Sequence, residues 1–512
     1  VARGTIDPPQ VKVRHQGKPV IALGVSMAKG GDIIALGKSL QTEAKTIQAS
    51  LPVGIEMSQI QDQPQAVSRS VGEFVRVLIE AIVVVLAVSF IALGFHTKPL
   101  RIDIWPGLVV GITIPLVLAI TFVTMFYWGV GLHKISLGSL IIALGLLVDD
   151  AIIAVEMMVR KMEEGYDRTR AATFSYELVS MPMLTGTLIT AAGFLPIGLA
   201  KSVTGEYTFA IFAVTTAALV ISWFVSVYFV PYLGVKLLRT KPHADGDQPH
   251  ELFDSPFYMR LRALVNWCVT HRWITIGITL LTFALGIVGM GRVQQQFFPD
   301  SSRPEVLVDL WLPEGATFQE SEAVAKRFEA RIAKEEGVAS VTAWIGTGVP
   351  RFYLPLDQIF QNSNVSQFIV LPKDLAARDA LRTTLPALLA TEFPEVRGRS
   401  KVLPNGPPVS YPVMFRVVGP DVAGVQAWSD QAKAILRANT NMRGVNDNWN
   451  ERVKALRLNV DQDKARALGV TSQNIAVAAR TVLSGSTVGQ YREGDKLIDI
   501  VLRQPADERN AI

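Results

Sequence analysis

The chain has 512 residues, too many for one ordinary domain, so several folded units are expected. Hydrophobic residues make up 49% of it and the mean hydropathy is +0.30, which is high for a soluble protein. A single cysteine, Cys268, excludes an intrachain disulfide framework and a cysteine metal cluster.

The first stretch of soluble composition, residues 9–64, predicts the order strand, turn, strand, helix, strand from its alternation and turn residues. A turn is predicted at Gln16-Gly17-Lys18, and Asp32 is the predicted cap of the helix, which runs to about Ser50. The predicted strands are Val11–His15, Val20–Ala28 and Gly54–Gln61.

Six segments are apolar over the roughly 20 residues that a helix needs to cross a bilayer core. They lie at about 74–94, 105–127, 135–159, 179–199, 207–235 and 273–291. We therefore expect an α-helical bundle of six spans, which brings the chain back to the side of the membrane where it started.

Lysine and arginine are concentrated in the connections on one side of these spans, which is typical of the cytoplasmic side. The opposite connections hold only Lys134 and Lys201. The soluble stretches are therefore expected outside the cytoplasm. This placement of lysine and arginine explains the net positive charge of the chain without a nucleic-acid partner. Within the connection 236–272, residues Pro256–His271 predict an amphipathic helix at the membrane surface, or alternatively a polar linker. The basic residues of the first side are Lys98, Arg101, Arg160, Lys161, Arg168, Arg170, Lys236, Arg239, Lys241, Arg260, Arg262 and Arg272.

The second soluble stretch begins with a predicted strand and a capping box, Thr317-Phe-Gln-Glu320, that opens a helix. The pattern indicates small α+β modules of the split βαβ type. Another helix is predicted at about 375–391 and a further one from Thr471. The predicted strands are Glu305–Leu312, Val338–Ile345, Asn364–Leu371, Val413–Val418, Met442–Asp447 and Ala455–Val460, with a helix at Val422–Ala438.

Two adjacent carboxylates, Asp149 and Asp150, occur well inside the third apolar segment. Each ionised Asp at such depth costs on the order of 2.5–3.5 kcal/mol, so a pair of them points to a proton or ion path rather than to packing. No span carries Lys or Arg in its middle, so the expected counter-charge lies outside this chain. No phosphate loop or His/Cys metal spacing is present, and we predict neither an enzyme nor a bound cofactor or metal.

The sequence around this pair, Gly145-Leu-Leu-Val-Asp149-Asp150-Ala-Ile-Ile-Ala-Val-Glu156, resembles the resistance-nodulation-division permeases of the hydrophobe/amphiphile (multidrug) efflux branch. Further matches are Leu51-Pro-Val-Gly-Ile, Phe298-Pro-Asp, Leu312-Pro-Glu-Gly-Ala-Thr317 and Val460-Asp-Gln-Asp-Lys-Ala-Arg-Ala-Leu-Gly469. The resemblance extends over essentially the whole chain, in the family's order. It implies a fragment covering about half of a full permease.

The resemblance also implies a domain order. Residues 1–70 would be the second part of an N-terminal porter subdomain, 71–235 the second to sixth spans of the family, and 273–291 its seventh span, after the cytoplasmic loop 236–272. Residues 292–408 and 409–453 would belong to two C-terminal porter subdomains, and 454–512 would begin the docking domain.

In that family the paired acids relay protons, which implies this role for Asp149 and Asp150, with a lysine of a later span as partner. The proton gradient then replaces a cofactor as the energy source for the export of organic amphiphilic compounds. The resemblance implies a homotrimer in the Gram-negative inner membrane, with large periplasmic domains, a periplasmic adaptor and an outer-membrane channel. Residues expected to line the substrate path are Gln61, Leu307, Trp344 and Phe352, although core packing is an equal alternative for the aromatic ones.

Two other functions remain open from the sequence. The heavy-metal branch of the same superfamily is less favoured, because that branch typically has Asp followed by Gly in this helix and methionines along its path. A non-pumping accessory for protein export, or a lipid-sensing membrane protein, would have a related bundle without the double acid.

Overall fold

The computed structural model describes residues 3–6, 9–97, 100–102, 104–238, 256–293, 301–406, 409–455, 457–505 and 508. These residues form two compact units. The sheet unit contains the described residues of 1–22, 300–350 and 357–512, and the helical unit contains those of 23–299 and 351–356.

Both α-helices and β-strands occur among the described residues. The helices are α1 (Ile33–Ser50), α2 (Gln63–Gly94), α3 (Ile104–Tyr127), α4 (Lys134–Glu163), α5 (Arg168–Gly193), α6 (Leu195–Leu199), α7 (Val203–Phe224), α8 (Val230–Leu237), α9 (Pro256–Thr270), α10 (Arg272–Met290), α11 (Phe318–Ile332), α12 (Leu375–Glu392), α13 (Val422–Ala438), α14 (Gln462–Ala467) and α15 (Ser472–Leu483). The strands are β1 (Lys12–His15), β2 (Lys18–Val20), β3 (Phe95–Thr97), β4 (Leu100–Ile102), β5 (Val306–Trp311), β6 (Val338–Ile345), β7 (Val365–Pro372), β8 (Arg397–Val402), β9 (Ser486–Glu493) and β10 (Lys496–Leu502).

Six strands of the sheet unit form one antiparallel sheet in the order β2-β1-β6-β7-β5-β8. Helix α11 connects β5 to β6 along the chain, yet β7 lies between these two strands and pairs with both. Helix α12 leads from β7 to β8, which pairs with the other edge of β5. Strands β5 and β6 are therefore parallel to each other on either side of an antiparallel neighbour.

One face of this sheet packs against α11 and α12 and forms the core of the unit. Alternate residues of β5 point into it, because successive side chains of a strand face opposite sides. Phe328 of α11 is completely buried there and contacts the ring of Phe368 edge-on at a centroid distance of 4.8 Å. The predicted capping box of α11 is confirmed, with Thr317 and Glu320 each accepting the other's backbone N–H.

The hairpin of β1 and β2 extends the same sheet at the free edge of β6. Its turn is the predicted one: Gln16 and Gly17 both have positive φ, 47° and 80°, as a tight two-residue hairpin requires. Two ion pairs hold the hairpin on α11. Arg14 lies 2.8 Å from Glu329, and Lys12 lies 2.8 Å from Glu322.

Several predicted strands are wrong. The strand predicted at Val20–Ala28 ends at Val20, because β1 offers partners only to Lys18–Val20. The described residues of the other four segments pair with no neighbouring strand. A strand needs a neighbour for its backbone N–H and C=O groups. These segments are Gly54–Gln61, Val413–Val418, Met442–Asp447 and Ala455–Val460.

The expected number of six membrane spans is not confirmed. Among the described residues, five helical segments are long and apolar enough to cross a membrane: Gln63–Leu93, Ile104–Tyr127, Lys134–Glu163, Thr204–Leu237 and Arg272–Met290. The segment expected at 179–199 lies in α5 and α6 and does not qualify. Helix α5 carries polar side chains along its length, which lower its hydropathy.

The fourth of these segments joins α7 and α8 through a π-helical turn, Val225–Phe229. Pro231 follows this turn by two residues. Proline has no N–H and its ring crowds the carbonyl four residues earlier, so a wider turn at this place relieves the helix. The N–H of Val230 accordingly donates to the carbonyl of Val225, five residues back.

A helix also occupies the range for which an amphipathic helix was predicted, since α9 runs from Pro256 to Thr270. Its place at a membrane surface stays a prediction. Residues 239–255, which include Arg239 and Lys241, lie outside the described residues.

Candidate functional site

The helix that carries the two acids is α4, which packs against α2, α3, α5 and α7 in the helical unit. Its start is set by a capping box in which the His133 ring accepts from the N–H of Ser136, and the Ser136 hydroxyl accepts from the N–H of His133. Near its end, Arg160 and Lys161 both pair with Glu164, at 3.6 and 2.5 Å. The order of Glu156, Arg160 and Lys161 along the helix predicts an ion pair of Glu156 with these bases, but the structure pairs both bases with Glu164 instead.

Asp149 and Asp150 lie close to the middle of α4. The helix has 30 residues, and at 1.5 Å per residue Asp149 is about 22 Å from its first residue. Both neighbours of the pair are apolar and buried, Val148 before it and Ala151 after it. The acids are therefore held in the apolar part of the span, where they have few polar groups to contact.

Asp150 is half-buried and faces α5. Its Oδ2 atom lies 3.3 Å from the hydroxyl oxygen of Thr187, which is itself buried and lies 2.9 Å from the carbonyl of Met183. One hydroxyl has one proton to donate and two lone pairs to accept with. Thr187 can thus donate to an ionised Asp150, or accept from a protonated Asp150 while it donates to Met183. Both protonation states of Asp150 find a partner in the same geometry.

Asp149 points away from these contacts and is exposed on the surface of the helical unit. Among the described residues, no side chain forms a hydrogen bond or an ion pair with it. It belongs to a stripe of exposed residues along α4 with helical spacing: Ile142, Gly145, Asp149, Ile153 and Glu156. In the described part of the chain this face of α4 stays exposed.

Two further hydroxyls join neighbouring helices to α4 close to the acids. Ser222 of α7 donates to the carbonyl of Leu147 at 2.9 Å, and Ser175 of α5 donates to the carbonyl of Ala154 at 3.1 Å. Hydrogen bonds of this kind fix helix contacts inside membranes. Sequence reasoning missed Thr187 and these serines. The signal that could have found them is the presence of hydroxyl residues within otherwise apolar helices.

The four residues predicted to line a substrate path fall into both units. Leu307 and Trp344 lie on the face of the sheet opposite α11 and α12, and they are buried there, with 1% and 6% of their surface exposed. Gln61 and Phe352 belong to the helical unit and are partly exposed. Their role in a substrate path stays a prediction.

A metal centre finds no support in the part of the chain that the structure describes. No group of three or more His, Cys, Asp or Glu side chains there could hold a metal ion. Cys268 is a free cysteine on α9.

Known proteins with related sequences are named as multidrug resistance proteins. The curated relatives include Multidrug resistance protein MdtC of Yersinia enterocolitica, 26% identical over 467 residues, which cover 89% of this chain and 43% of that protein. MdtC of Yersinia pestis is 25% identical over 465 residues, with the same two coverages, as is MdtC of Yersinia pseudotuberculosis. The chain thus spans less than half the length of these relatives.

A sequence model described as the AcrB/AcrD/AcrF family matches residues 6–512. The match includes α4 with its two acids as well as the sheet unit. The resemblance drawn from the motif around Asp149 and Asp150 is confirmed by this match over nearly the whole chain. The chain belongs to the AcrB/AcrD/AcrF family of resistance-nodulation-division permeases.

Proposed function

We propose that this chain is part of a proton-driven exporter of organic amphiphilic compounds. The observation that carries the proposal is the acid pair in the middle of α4, with Asp150 against the hydroxyl of Thr187 and Asp149 on an exposed face. Family membership and the name of the MdtC relatives support multidrug export. Carboxylates within a membrane span are typical of a proton or ion path.

The proton step follows from the two states of Asp150. When Asp150 is ionised, Thr187 donates to it; when it takes up a proton, the acid donates to Thr187, whose hydroxyl turns to the carbonyl of Met183. The switch between these two hydrogen-bonding arrangements needs only rotation of the Thr187 hydroxyl group. Asp149 is proposed to face a basic side chain elsewhere in the full-length permease, as the family resemblance implies. Loss of charge at the pair would then release that contact and allow the helices to shift.

We further propose that α5 crosses the membrane as a sixth span. It has 26 residues, or about 39 Å of helix, and it packs against α4 and α7. Two of its polar side chains, Thr187 and Ser175, form hydrogen bonds with α4. With six spans, the basic connections lie in the cytoplasm and the sheet unit lies in the periplasm of a Gram-negative cell.

In this arrangement the sheet unit supplies porter subdomains of the split βαβ type and the beginning of a docking domain. The position of β7 between β5 and β6 supports that type. The substrate path is proposed to include Gln61, Leu307, Trp344 and Phe352. The working assembly is proposed to be a homotrimer with a periplasmic adaptor and an outer-membrane channel.

The experiment is export of a fluorescent dye by the full-length permease in cells or in proteoliposomes with an imposed pH gradient. Asp149→Asn and Asp150→Asn are each expected to abolish export of the dye. The matched control is Glu80→Gln, which changes an acid in another apolar helix, α2. Glu80 lies on an exposed face of that helix and pairs with Arg76. This variant is expected to retain export.

Dissipation of the proton gradient with an ionophore is expected to stop export by the wild-type permease. Continued export after either Asp→Asn change, or export indifferent to the ionophore, would refute the proton mechanism. A permease that confers resistance to copper or zinc but exports no dye would instead favour the heavy-metal alternative.

A further inference from the structure

The connection between β6 and β7 is a long loop, residues 346–364, with two legs that belong to the sheet unit. The first leg is Gly346–Pro350 and the second is Asp357–Asn364. Backbone hydrogen bonds join them at their base, from Asn362 N–H to the Gly346 carbonyl at 3.0 Å and from Gly348 N–H to the Ile359 carbonyl at 3.2 Å. A Cβ atom on Gly348 would come within 2.7 Å of the Ile359 side chain, so the legs are in close contact.

Beneath the loop lies a buried acid, Asp309 of β5. It points to the face of the sheet opposite α11 and α12, since its neighbours Val308 and Leu310 face the core. Only 2% of its surface is exposed. Burial of a carboxylate is costly unless it is paired and hydrogen-bonded, and Asp309 has a partner for each of its oxygens. Gln367 donates to Oδ1 at 2.6 Å, and the ammonium of Lys401 lies 2.8 Å from Oδ2.

Each of these two partners holds one leg of the loop. The amide oxygen of Gln367 accepts from the backbone N–H of Val349 in the first leg, at 2.8 Å. The ammonium of Lys401 also contacts Asp357 in the second leg, at 2.9 Å. One buried carboxylate thus contacts a side chain that is tied to each leg of the loop.

The second leg has an additional tie, because Ser410 donates to the other oxygen of Asp357 at 2.8 Å. The pKa of Asp357 lies below its ordinary value: burial alone would raise it, but the hydrogen bond and charge of Lys401 outweigh that effect. Asp357 is therefore ionised at neutral pH, and the tie to Lys401 is a full ion pair.

The second leg that this arrangement holds carries an aromatic residue. Phe360 in the second leg has 79% of its surface exposed, unusual for such an apolar side chain. A loop that displays an exposed ring while polar ties hold it from below is suited to bind amphiphilic compounds through that ring.

We propose that Asp309 is a positioning residue that holds the loop 346–364 on the sheet and thereby sets the affinity of the exporter for its substrates. This inference rests on the proposed function. The acid contacts no substrate itself; it acts through Gln367 and Lys401. Loss of its charge would leave the Lys401 ammonium with one charged partner instead of two and weaken the hydrogen bond that the Gln367 amide donates.

The test uses the full-length permease with Asp309→Asn, which keeps the size of the side chain and removes the charge. Hydrogen exchange of the peptide 346–364 is expected to rise about tenfold, the effect of losing one charge-assisted hydrogen bond. The dye concentration for half-maximal export is expected to rise several-fold, with the maximal rate nearly unchanged. The matched control is Glu392→Gln, which breaks an ion pair with Arg331 in the same unit on the other face of the sheet and leaves both readouts as in the wild type.

A second variant, Asp357→Asn, keeps the inference testable if Asp309→Asn fails to fold. The side chain of Asp357 is less buried than that of Asp309, with 26% exposed. This variant is expected to raise exchange in the second leg and to shift the half-maximal concentration in the same direction. Unchanged exchange of the loop in both variants would overturn the inference. So would faster exchange with an unchanged half-maximal concentration, which would leave the loop without a part in substrate binding.

Failure of the proposed function would look different. A wild-type permease that exports none of the dyes would refute the proposed function and the substrate role of the loop together. Hydrogen exchange would still decide whether Asp309 holds the loop, because that readout needs no transport.

Discussion

The contact between Thr187 and Asp150 offers the sharpest test of the site in the membrane. Thr187→Val replaces the hydroxyl by a methyl group of nearly the same volume, so packing of α5 on α4 is kept. Among the described side chains, the change removes the one that forms a hydrogen bond with Asp150, at 3.3 Å. It leaves the carbonyl of Met183 in its place within the helix.

The expected magnitude follows from the length of this hydrogen bond. Bonds to charged groups contribute about 1.5–3 kcal/mol, while bonds between membrane helices average about 0.6 kcal/mol. The separation of 3.3 Å is longer than the usual O–H···O distance of about 2.7–2.8 Å. We therefore expect a loss of about 1 kcal/mol, which is about a fivefold change in rate.

The assay is the initial rate of dye export by the full-length permease in proteoliposomes, at several values of the imposed pH gradient. Thr187→Val is expected to export about fivefold more slowly, and Thr187→Ser, which keeps the hydroxyl, is expected to restore most of the rate. The control is Thr185→Val, because the hydroxyl of Thr185 is exposed and donates only to the carbonyl of Met181. Export by Thr187→Val at the wild-type rate would refute the role of this hydroxyl in the proton step.

The stability of the sheet unit is expected to respond to three changes, each measured by denaturation of the full-length protein in detergent. The pKa of Asp357 is lowered, since Lys401 outweighs the effect of burial. The stabilising contribution of this carboxylate is therefore complete above its pKa in the unfolded chain, about 4, and is lost as the pH falls through the lowered pKa of the folded state. Asp357→Asn is expected to make this acid-induced loss of stability smaller. Glu329→Gln is expected to destabilise the unit by about 3 kcal/mol, because it leaves the guanidinium of Arg14, which is only 12% exposed, without its charge partner; an unchanged denaturation midpoint would contradict this. Phe328→Ala is expected to cost about 3–5 kcal/mol through the cavity that it leaves, and a loss below about 1 kcal/mol would show that the core can collapse around the smaller side chain.

Local sequence patterns were sufficient for the elements whose stability depends on neighbours along the chain. Thr317 and Glu320 form the predicted capping box, and Asp32 caps α1 as predicted, because a cap satisfies N–H groups only two or three residues away. The hairpin turn at Gln16-Gly17 is local in the same sense. The acid pair is equally visible, since charge inside an apolar segment stands out without any knowledge of the fold.

Pairing between segments that are distant along the chain was harder to predict from the sequence. Strand β8, Arg397–Val402, carries mostly polar residues and a glycine, and it escaped prediction because only its pairing with β5 makes it a strand. The hairpin of β9 and β10 was missed as well. Conversely, Val413–Val418 is rich in valine, which favours strands, but it pairs with no described segment.

The sequence by itself determined the membrane character of this protein, its family and the two acids that carry the proposed mechanism, because composition and a contiguous motif are properties of the chain alone. Only the tertiary structure decided that Asp150 has Thr187 as its partner, 37 positions away, and that Asp309 reaches both legs of the loop through Gln367 and Lys401. Side chains from separate elements meet at such places because helices and strands pack through their faces. The spacing within one element predicts which residues share a face, but it does not say which other element that face will meet.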